Sequence, residues 1–367
     1  MNGNKQMVNP FVAGKYVLGK NFADREDDIR ELQMDILSGQ NVIIYSPRRF
    51  GKTSLILETV RRLENRVRSA YVNLYEVTSL DEIIVTILRQ LYTKTDKIIN
   101  IIKRLSEKIL ARLIGGEIRL FGAEDNLRGL LIDLLDYLDK TSKQKKVVII
   151  LDEFQEISNI DPAVPRLLKG IIDRSRNIVY IFSGSVKSIL DLFKGESSPL
   201  YNIGKLRYLS RPSKEKMVEF IISKFEATGI KIDGEIATKI VEITDNIPYY
   251  TQLLCHEIWN IIQIAKRKEV RVEDIDTGLE KIINNNKPYY EDLLSNLPTS
   301  QRKALRILLF EKTIYSNEVL QRYRIGQSTL QKAISGLVEK RIIWKQNNRY
   351  KFLDPIFKRY LMSIWRK

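Results

Sequence analysis

Gly51, Lys52 and Thr53 follow a short polar loop, which comes directly after the apolar run 41–45 (NVIIY), and an apolar helical pattern begins after them. In this order of strand, loop and helix, glycine lets backbone amides close on phosphate oxygens, and the helix N-terminus adds its dipole. The lysine reaches the β- and γ-phosphates, and the threonine hydroxyl holds Mg²⁺. The spacing therefore predicts binding of ATP with Mg²⁺ by Ser46, Pro47, Arg48, Arg49, Phe50, Gly51, Lys52, Thr53 and Ser54. Ser46 replaces the first glycine of G-x-x-x-x-G-K-[ST], and its small side chain is compatible with the turn.

Two carboxylates, Asp152 and Glu153, end a second apolar run at 147–151 (VVIIL). On a strand neighbouring the phosphate loop, Asp152 would bind the metal through water and Glu153 would polarise the attacking water. Ser183 or Ser185, at the end of the next run (IVYIFSGS), would sense hydrolysis, although packing or helix capping is an equal alternative. Arginines that could complete the site across a subunit interface are Arg174, Arg176, Arg207 and Arg211, and the sequence does not choose among them.

Alternating strands and helices must position these groups. Apolar β-branched runs predict parallel strands at 41–45, 70–74, 147–151 and 178–183. Helical periodicity predicts helices at 80–92, 96–113, 125–140 and near 162–174. Together they predict an α/β fold, a three-layer parallel-sheet core with its ligand at the carboxyl ends of the strands.

Beyond Ser213 the pattern becomes helical only, with predicted helices at 213–228, 234–244, 248–266 and 272–285. An asparagine run and two prolines predict a connector over 284–300. The last part predicts helices at 301–311, 317–323 and 327–340, then strands at 342–344 and 350–353 around a turn at Gln346, Asn347 and Asn348. This is a helix-turn-helix with a two-stranded wing.

Charge is concentrated in that last part. The whole chain carries +16, and residues 298–367 contain 16 Lys and Arg against 4 Asp and Glu, a net +12. A polyanion is the expected partner, and double-stranded DNA is the favoured one. The predicted contacts are Gln327, Ser328, Thr329, Gln331, Lys332, Lys345 and Arg349. A protein-docking role for the same face remains an alternative.

Bulk composition excludes several classes of protein. One cysteine, Cys255, allows no internal disulfide, and with a single histidine a zinc site would need carboxylates for most of its ligands. That histidine, His256, lies in the apolar helical stretch 249–264, which favours a packing role over a catalytic triad. No apolar run approaches the ~20 residues that span a bilayer. We therefore expect a cytoplasmic protein with no membrane partner.

The segments PRRFGKTSL, LDEF, FSGS and NIPYYTQLL, with Asn9-Pro10-Phe11 and Phe22-Ala23-Asp24-Arg25-Glu26, together resemble the archaeal-type ATPases of the STAND branch of P-loop NTPases, relatives of AAA+ proteins. The resemblance implies an ATPase core, a helical lid and a C-terminal winged helix, whose relative positions depend on the nucleotide. It also implies an adenine contact at Pro248, although Asn246 stands where the family has glycine. The implied domains are 1–210 for the core, with a lead-in over 1–40, 211–285 for the lid, 286–300 for a linker and 301–367 for the winged helix.

These observations predict an ATP-hydrolysing switch that couples nucleotide state to DNA binding. Two alternatives remain at this point. One is an oligomeric AAA+-like ATPase that remodels or loads DNA, and the other is a signalling scaffold ATPase whose winged helix binds protein. A homo-oligomer is compatible with each.

Overall fold

The computed structural model describes residues 8–23, 25–107, 109–114, 117–346 and 349–365. Asp24 of the predicted lead-in and Asn347 and Asn348 of the predicted turn lie outside these residues. The described chain divides into two compact units, one of residues 16–210 and one of residues 8–15 with 211–365. No helix among the described residues is long and apolar enough to cross a membrane.

A five-stranded parallel sheet forms the centre of the first unit, in the order β2-β5-β6-β1-β7. Its strands are β1 (Val42–Tyr45), β2 (Val67–Asn73), β5 (Lys146–Asp152), β6 (Ile178–Gly184) and β7 (Lys205–Tyr208), and a separate hairpin holds β3 (Leu110–Ile114) and β4 (Glu117–Phe121). The strands β5 and β6 are almost wholly buried, because both faces of the sheet are covered.

Helices cover the sheet on both sides. On one face, Ile29 and Leu55 of two helices pack against alternate residues of the central strands, such as Ile44 and Ile150. The opposite face carries a larger apolar cluster that includes Ile43 and Ile149. The helices of this unit are α1 (Glu26–Ser38), α2 (Lys52–Arg62), α3 (Leu80–Leu91), α4 (Thr95–Leu105), α5 (Glu124–Thr141), α6 (Ile157–Ile160), α7 (Val164–Arg174) and α8 (Val186–Phe193). The predicted three-layer α/β core is confirmed.

The helix predicted over 96–113 is wrong in its second half. Helix α4 ends at Leu105, and the chain then forms the antiparallel hairpin β3–β4. Ala111, Ile118 and Leu120 are buried on one face of the hairpin, whereas Arg112 and Arg119 are exposed on the other. An alternation of two residues, and not the helical period, therefore describes this segment. Strand β7, a short edge strand, was not predicted.

Four helices begin the second unit: α9 (Lys214–Glu226), α10 (Gly234–Ile243), α11 (Pro248–Ile264) and α12 (Val272–Ser295). Pro248 is the first residue of α11, where its missing N–H costs nothing. The N-terminal segment binds α11 directly, because the Asn9 amide donates to Asn260 Oδ1 at 2.9 Å and the Val12 N–H donates to Gln252 Oε1 at 3.0 Å. His256 Nδ1 lies 2.9 Å from the Phe11 carbonyl, so the single histidine has a packing role.

The connector predicted over 284–300 is largely absent. Helix α12 continues from Val272 to Ser295 with Pro288 inside it, and only a short turn precedes the next helix. Tyr290 of α12 is 2% exposed, and its ring lies 5.1 Å from Phe357 and 5.4 Å from Tyr360. This tertiary packing holds the helix together through the proline, which alone would weaken it by about 3 kcal/mol.

The C-terminal residues form a winged helix. Its elements are α13 (Thr299–Phe310), α14 (Asn317–Arg322), α15 (Gln327–Glu339), β8 (Ile343–Gln346), β9 (Arg349–Phe352) and α16 (Pro355–Trp365). Leu330, Ile334 and Leu337 of α15 are buried, as the helical period predicts. The two strands pair antiparallel, with Gln346 opposite Arg349.

Candidate functional site

The sheet order brings the predicted residues to one edge. Strand β6 lies between β1 and β5, and its Ser183 pairs in register with Ile44 of β1. Asp152 is therefore one strand further from the phosphate loop than predicted, since β5 is not a direct neighbour of β1. Because parallel strands end at a common edge, the ends of all three strands still converge there.

Backbone conformation explains the glycine at position 51. Gly51 has a φ of 90° and immediately precedes α2, whose first turn begins with the hydrogen bond from Leu55 N–H to the Gly51 carbonyl at 2.9 Å. This left-handed conformation costs other residues roughly 1–2 kcal/mol. Arg49 also has a positive φ, 71°, so the loop turns sharply twice before the helix starts. The free N–H groups of the first helical turn face the start of the helix, as an anion site requires.

Lys52 is buried without an ion pair among the described residues. Its side chain is 6% exposed, and its ammonium donates one hydrogen bond, to the Ser46 carbonyl at 3.4 Å. Burial lowers the pKa of Lys52, and the nearby negative charges of Glu153 and Asp152 oppose this only in part. A buried cation with so few acceptors is suited to an anionic ligand that completes its coordination.

Asp152 is the centre of a hydrogen-bonded cluster. The Thr53 hydroxyl donates to Asp152 Oδ2 at 2.6 Å, and the Tyr71 hydroxyl donates to the same oxygen at 3.0 Å. Ser183 donates to Oδ1, which also accepts the Glu153 N–H at 3.0 Å. The carboxylate is 3% exposed, so four donors hold a nearly buried charge. Of the two serines that the sequence offered, Ser183 contacts Asp152, whereas Ser185 directly precedes α8 and accepts from the Ile189 N–H at 3.1 Å through its carbonyl.

Glu153 stands at a strained position directly after β5. Its φ is 50°, and its carboxylate accepts a hydrogen bond from the Gln155 amide at 2.5 Å. Gln155 in turn lies against Gly184, where an added Cβ would come within 2.3 Å of Gln155 Oε1. The glycine of FSGS therefore leaves the space in which Gln155 can orient Glu153.

The other loop residues divide by exposure. Ser46, Pro47 and Phe50 are buried, while Arg48 and Arg49 are exposed. Ser54 accepts a hydrogen bond from the Val17 N–H at 3.1 Å, which ties the segment before α1 to the first turn of α2. These contacts position the backbone of the loop, and the predicted nucleotide contacts of its side chains stay predictions.

Three residues of the site were not assigned a role from the sequence: Arg25, Tyr71 and Gln155. Arg25 is 5% exposed and donates to the carbonyls of Phe50, at 3.0 Å, and Ser210, at 2.8 Å. These two contacts fix the backbone of the phosphate loop at Phe50. Its burial lowers the pKa of the guanidinium, although Asp28 partly compensates. The lead-in motif around Arg25 contained the signal for it, whereas nothing in the sequence pattern pointed to Tyr71.

The candidate arginines have other contacts in this chain. Arg207 is 8% exposed and binds Glu31 and Asp35, each at 2.8 Å, and Arg174 binds Asp136 at 3.0 Å. Arg174 and Arg176 also precede β6, at the edge of the sheet opposite to Asp152. Arg211 belongs to the second unit and pairs with Asp245 at 2.5 Å.

A hydroxyl oxygen and a carboxylate oxygen meet at the carboxyl edge of the sheet, in Thr53 and Asp152. Hard oxygen donors of this kind suit Mg²⁺, which in proteins binds one or two carboxylates and completes its shell with water and phosphate oxygens. No group of three or more His, Cys, Asp or Glu among the described residues could hold a metal on its own. The donor set therefore fits a Mg²⁺ ion that arrives with phosphate.

On the winged helix, the predicted DNA contacts share one property, exposure. Gln327, Ser328, Thr329, Gln331 and Lys332 are exposed on α15, and Lys345 and Arg349 are exposed on the wing. Lys345 lies 6.0 Å from the ring centre of Tyr350. The structure thus leaves these side chains accessible, and their contacts with DNA stay predictions.

In this parallel sheet β1, next to the central strand, leads into α2 through a left-handed glycine and a buried lysine, and Asp152 lies two strands away. This arrangement defines the P-loop ATPase fold. Residues 22–254 match the model of a family described as an ATPase domain predominantly from Archaea, and the chain belongs to this family. Residues 288–363 match a probable winged helix domain. No curated protein matches the chain.

Several solved structures share the fold. The Walker-type ATPase PABY2304 of Pyrococcus abyssi is similar over 96% of this chain and 99% of its own, with a TM-score of 0.68 and 19% identity. The Aeropyrum pernix ORC2 protein, in its ADPNP–ADP complexes, covers 98% of this chain and 95% of its own, with a TM-score of 0.61 and 16% identity. The Aeropyrum pernix ORC1 protein in complex with DNA covers 94% of each chain, with a TM-score of 0.52 and 14% identity.

Proposed function

We propose that this protein is a Mg²⁺-dependent ATPase that acts as a molecular switch, in which the nucleotide state controls DNA binding by the winged helix. The observation that carries the ATPase half is the cluster around Asp152, next to the buried and sparsely coordinated ammonium of Lys52. Membership of an ATPase family supports the same reading. The STAND branch, the boundaries of the core and of the winged helix, and the adenine contact of Pro248 remain predictions within this proposal.

Each residue at the edge of the sheet has a separate task. Lys52 and the N–H groups at the start of α2 hold the β- and γ-phosphates, and Thr53 and Asp152 hold the metal, Asp152 through water. Bound Mg²⁺ neutralises charge that develops on the phosphate oxygens. Glu153, oriented by Gln155, polarises the attacking water. Ser183, which already donates to Asp152, is placed to report whether the γ-phosphate is present.

Glu153→Gln tests the hydrolytic role. We expect turnover to fall by about 10²–10³-fold, because an amide cannot accept the proton of the water, while ATP affinity stays near that of the parent. Glu156→Gln is the matched control, since Glu156 lies three residues further and its carboxylate accepts a hydrogen bond from the Asn159 amide at 2.8 Å. Single-turnover hydrolysis and calorimetric ATP binding measure the two effects. Hydrolysis by Glu153→Gln at the parent rate contradicts the role of Glu153.

The DNA half of the proposal depends on the net +12 of residues 298–367 and on the exposed face of α15. The similar ORC1 protein was solved with DNA, which supports the same use here. Binding through phosphates makes affinity fall steeply with salt, with a slope of about 0.9 per contact on duplex DNA. We expect Lys332→Ala with Lys345→Ala to make that slope shallower by about 1.8.

The charge-matched control is Lys239→Ala with Lys268→Ala, two exposed lysines of the same unit outside the winged helix. A salt-independent affinity of the parent protein, or equal slopes for the two double variants, contradicts DNA binding by this face. ATPase rates with duplex DNA, single-stranded DNA and no DNA then separate the switch from its alternatives. Strong stimulation with ring-like assembly favours a remodelling ATPase, and indifference to DNA favours a signalling scaffold.

A further inference from the structure

The hairpin β3–β4 presents an unusual outward face. In its register Arg112 lies directly opposite Arg119, and Leu110 lies opposite Phe121. All four side chains are exposed, with Leu110 at 44% and Phe121 at 46%, although two of them are large and apolar. Residues opposite each other in an antiparallel pair share a face, so the two arginines and the two apolar side chains form one strip.

The two arginines lack a protein counterion within the described part of the chain. Neither forms an ion pair with a described carboxylate, and Glu117, exposed on the same face near the tip, binds neither of them. Like charges directly across a strand pair destabilise it, and among the described residues no ion pair with a carboxylate relieves the repulsion. An anion bound between the two guanidinium groups would relieve it, and arginine forks match phosphate geometry.

The neighbouring apolar residues specify the kind of anion. The inward face of the hairpin packs into the core through Ala111, Ile118 and Leu120, so Phe121 is not needed there. A cationic pair that binds phosphate, next to an exposed aromatic ring on which a base can stack, is the arrangement of single-stranded nucleic-acid sites. Lys103 and Arg104, exposed in the last turn of α4, extend the positive charge towards the hairpin.

We propose that the outward face of the β3–β4 hairpin binds single-stranded nucleic acid, with a phosphate held between Arg112 and Arg119 and a base stacked on Phe121. This site belongs to the ATPase unit and does not depend on the winged helix. It would give the protein a second nucleic-acid contact, for unpaired strands, beside the duplex contact proposed for α15.

The test uses the full chain and a fluorescent oligothymidine of about 16 nucleotides, the upper end of a single-domain site. Arg112→Ala with Arg119→Ala should weaken binding roughly tenfold at low salt and make the salt slope shallower by about 0.7 for each lost phosphate contact. The control is Arg30→Ala with Arg89→Ala, which removes the same charge from exposed helix positions of the same unit. Phe121→Ala should weaken binding by about 5- to 150-fold, and Phe121→Tyr should restore it.

An abasic oligonucleotide of equal length separates stacking from charge. We expect the parent protein to bind the abasic strand more weakly than oligothymidine. The Phe121→Ala variant should bind the two strands with about equal affinity. The proposal is overturned if the hairpin double variant and the control double variant have equal affinities and salt slopes. It is also overturned if the parent binds the abasic and intact strands equally well. Basal ATP turnover at the parent rate and a single cooperative thermal transition show that the hairpin variants are folded. Duplex binding by Lys332→Ala, measured in parallel, reports on the winged helix separately.

Discussion

Lys52→Met should stabilise the nucleotide-free protein while it abolishes nucleotide binding. Lys52 is 6% exposed, and its ammonium has one acceptor among the described residues, 3.4 Å away. Methionine keeps the length of the buried stem but removes this ammonium. Losing that long hydrogen bond costs little, whereas removing a desolvated charge with no close partner gains about 1–3 kcal/mol. For a unit of this size each kcal/mol raises Tm by ~2–4 °C.

With nucleotide, the parent should recover most or all of the stability by which the variant exceeds it. Two charge-assisted contacts to phosphate are worth roughly 1.5–3 kcal/mol each, so the variant should bind ATP about 10²–10⁴-fold more weakly. The parent at an ATP concentration of ~100 Kd gains about 2.7 kcal/mol, and the variant gains close to nothing. All three tryptophans, Trp259, Trp344 and Trp365, lie in the other unit, so calorimetry and not tryptophan fluorescence must follow the unfolding.

The pH dependence of the same pair of proteins provides a second check. Burial lowers the pKa of Lys52 from its usual 10.5, so above the folded-state value the unfolded chain binds the proton more tightly than the folded one. Between the folded-state and unfolded-state pKa values, the unfolding free energy of the parent therefore rises with pH. The difference in unfolding free energy between Lys52→Met and the parent should become smaller over the same pH range.

Lys145→Met is the matched control, because the Lys145 ammonium also has a carbonyl acceptor, that of Glu64 at 2.6 Å, but at an exposed site. It should neither stabilise the protein nor change its response to ATP. If the Tm of Lys52→Met lies below that of the parent without nucleotide, Lys52 is not a destabilising buried charge. If the Tm of the variant still rises with ATP, Lys52 is not required for ATP binding.

Three further changes test the surroundings of the site. In Gly51→Ala the new Cβ meets no atom within 4 Å, but alanine must adopt a φ of 90°. Calorimetry should therefore show a loss of about 1–2 kcal/mol in ATP affinity or in unfolding free energy. Gly129→Ala, equally open but within α5, is the control and should be neutral or stabilising. Tyr71→Phe removes one of the donors to Asp152 and should raise the Mg²⁺ concentration for half-maximal turnover by roughly 2- to 10-fold; an unchanged Mg²⁺ titration argues against the role of this hydroxyl. Tyr290→Ala should cost about 3–5 kcal/mol of unfolding free energy and release amide protection in α16. Tyr290→Phe keeps the ring but loses the hydroxyl, which donates to Asp354 at 3.3 Å, and should cost about 1 kcal/mol in urea unfolding.

Local sequence predicted the central strands because their pattern and their environment agree. The runs before Ser46 and Asp152 are apolar at every position, and only a strand covered on both faces requires this. The positions of Gly51 and Lys52 followed from one strand-to-helix turn, a local feature. What the sequence did not predict depends on distant partners: which strand separates β1 from β5, and which tyrosine reaches Asp152.

The errors have the same origin. The helix predicted over 96–113 includes most of β3, because LARLI also contains good helix formers. Only the burial of alternate residues against the core shows that this segment is a strand. The connector was expected where Pro288 and three asparagines weaken helical propensity, yet the ring contacts of Tyr290 outweigh that propensity. Ser183 and Ser185 could not be separated until the register of β6 was known.

The uninterrupted helix α12 replaces a flexible linker between α11 and the winged helix. A helix of 24 residues is about 36 Å long and resists bending far better than a flexible tether would. Helix α12 packs against α11 and against α16, so it joins the helices that precede it to the winged helix as one continuous element. Pro288 removes a backbone hydrogen bond from this helix, so Pro288→Ala should make the helix stiffer.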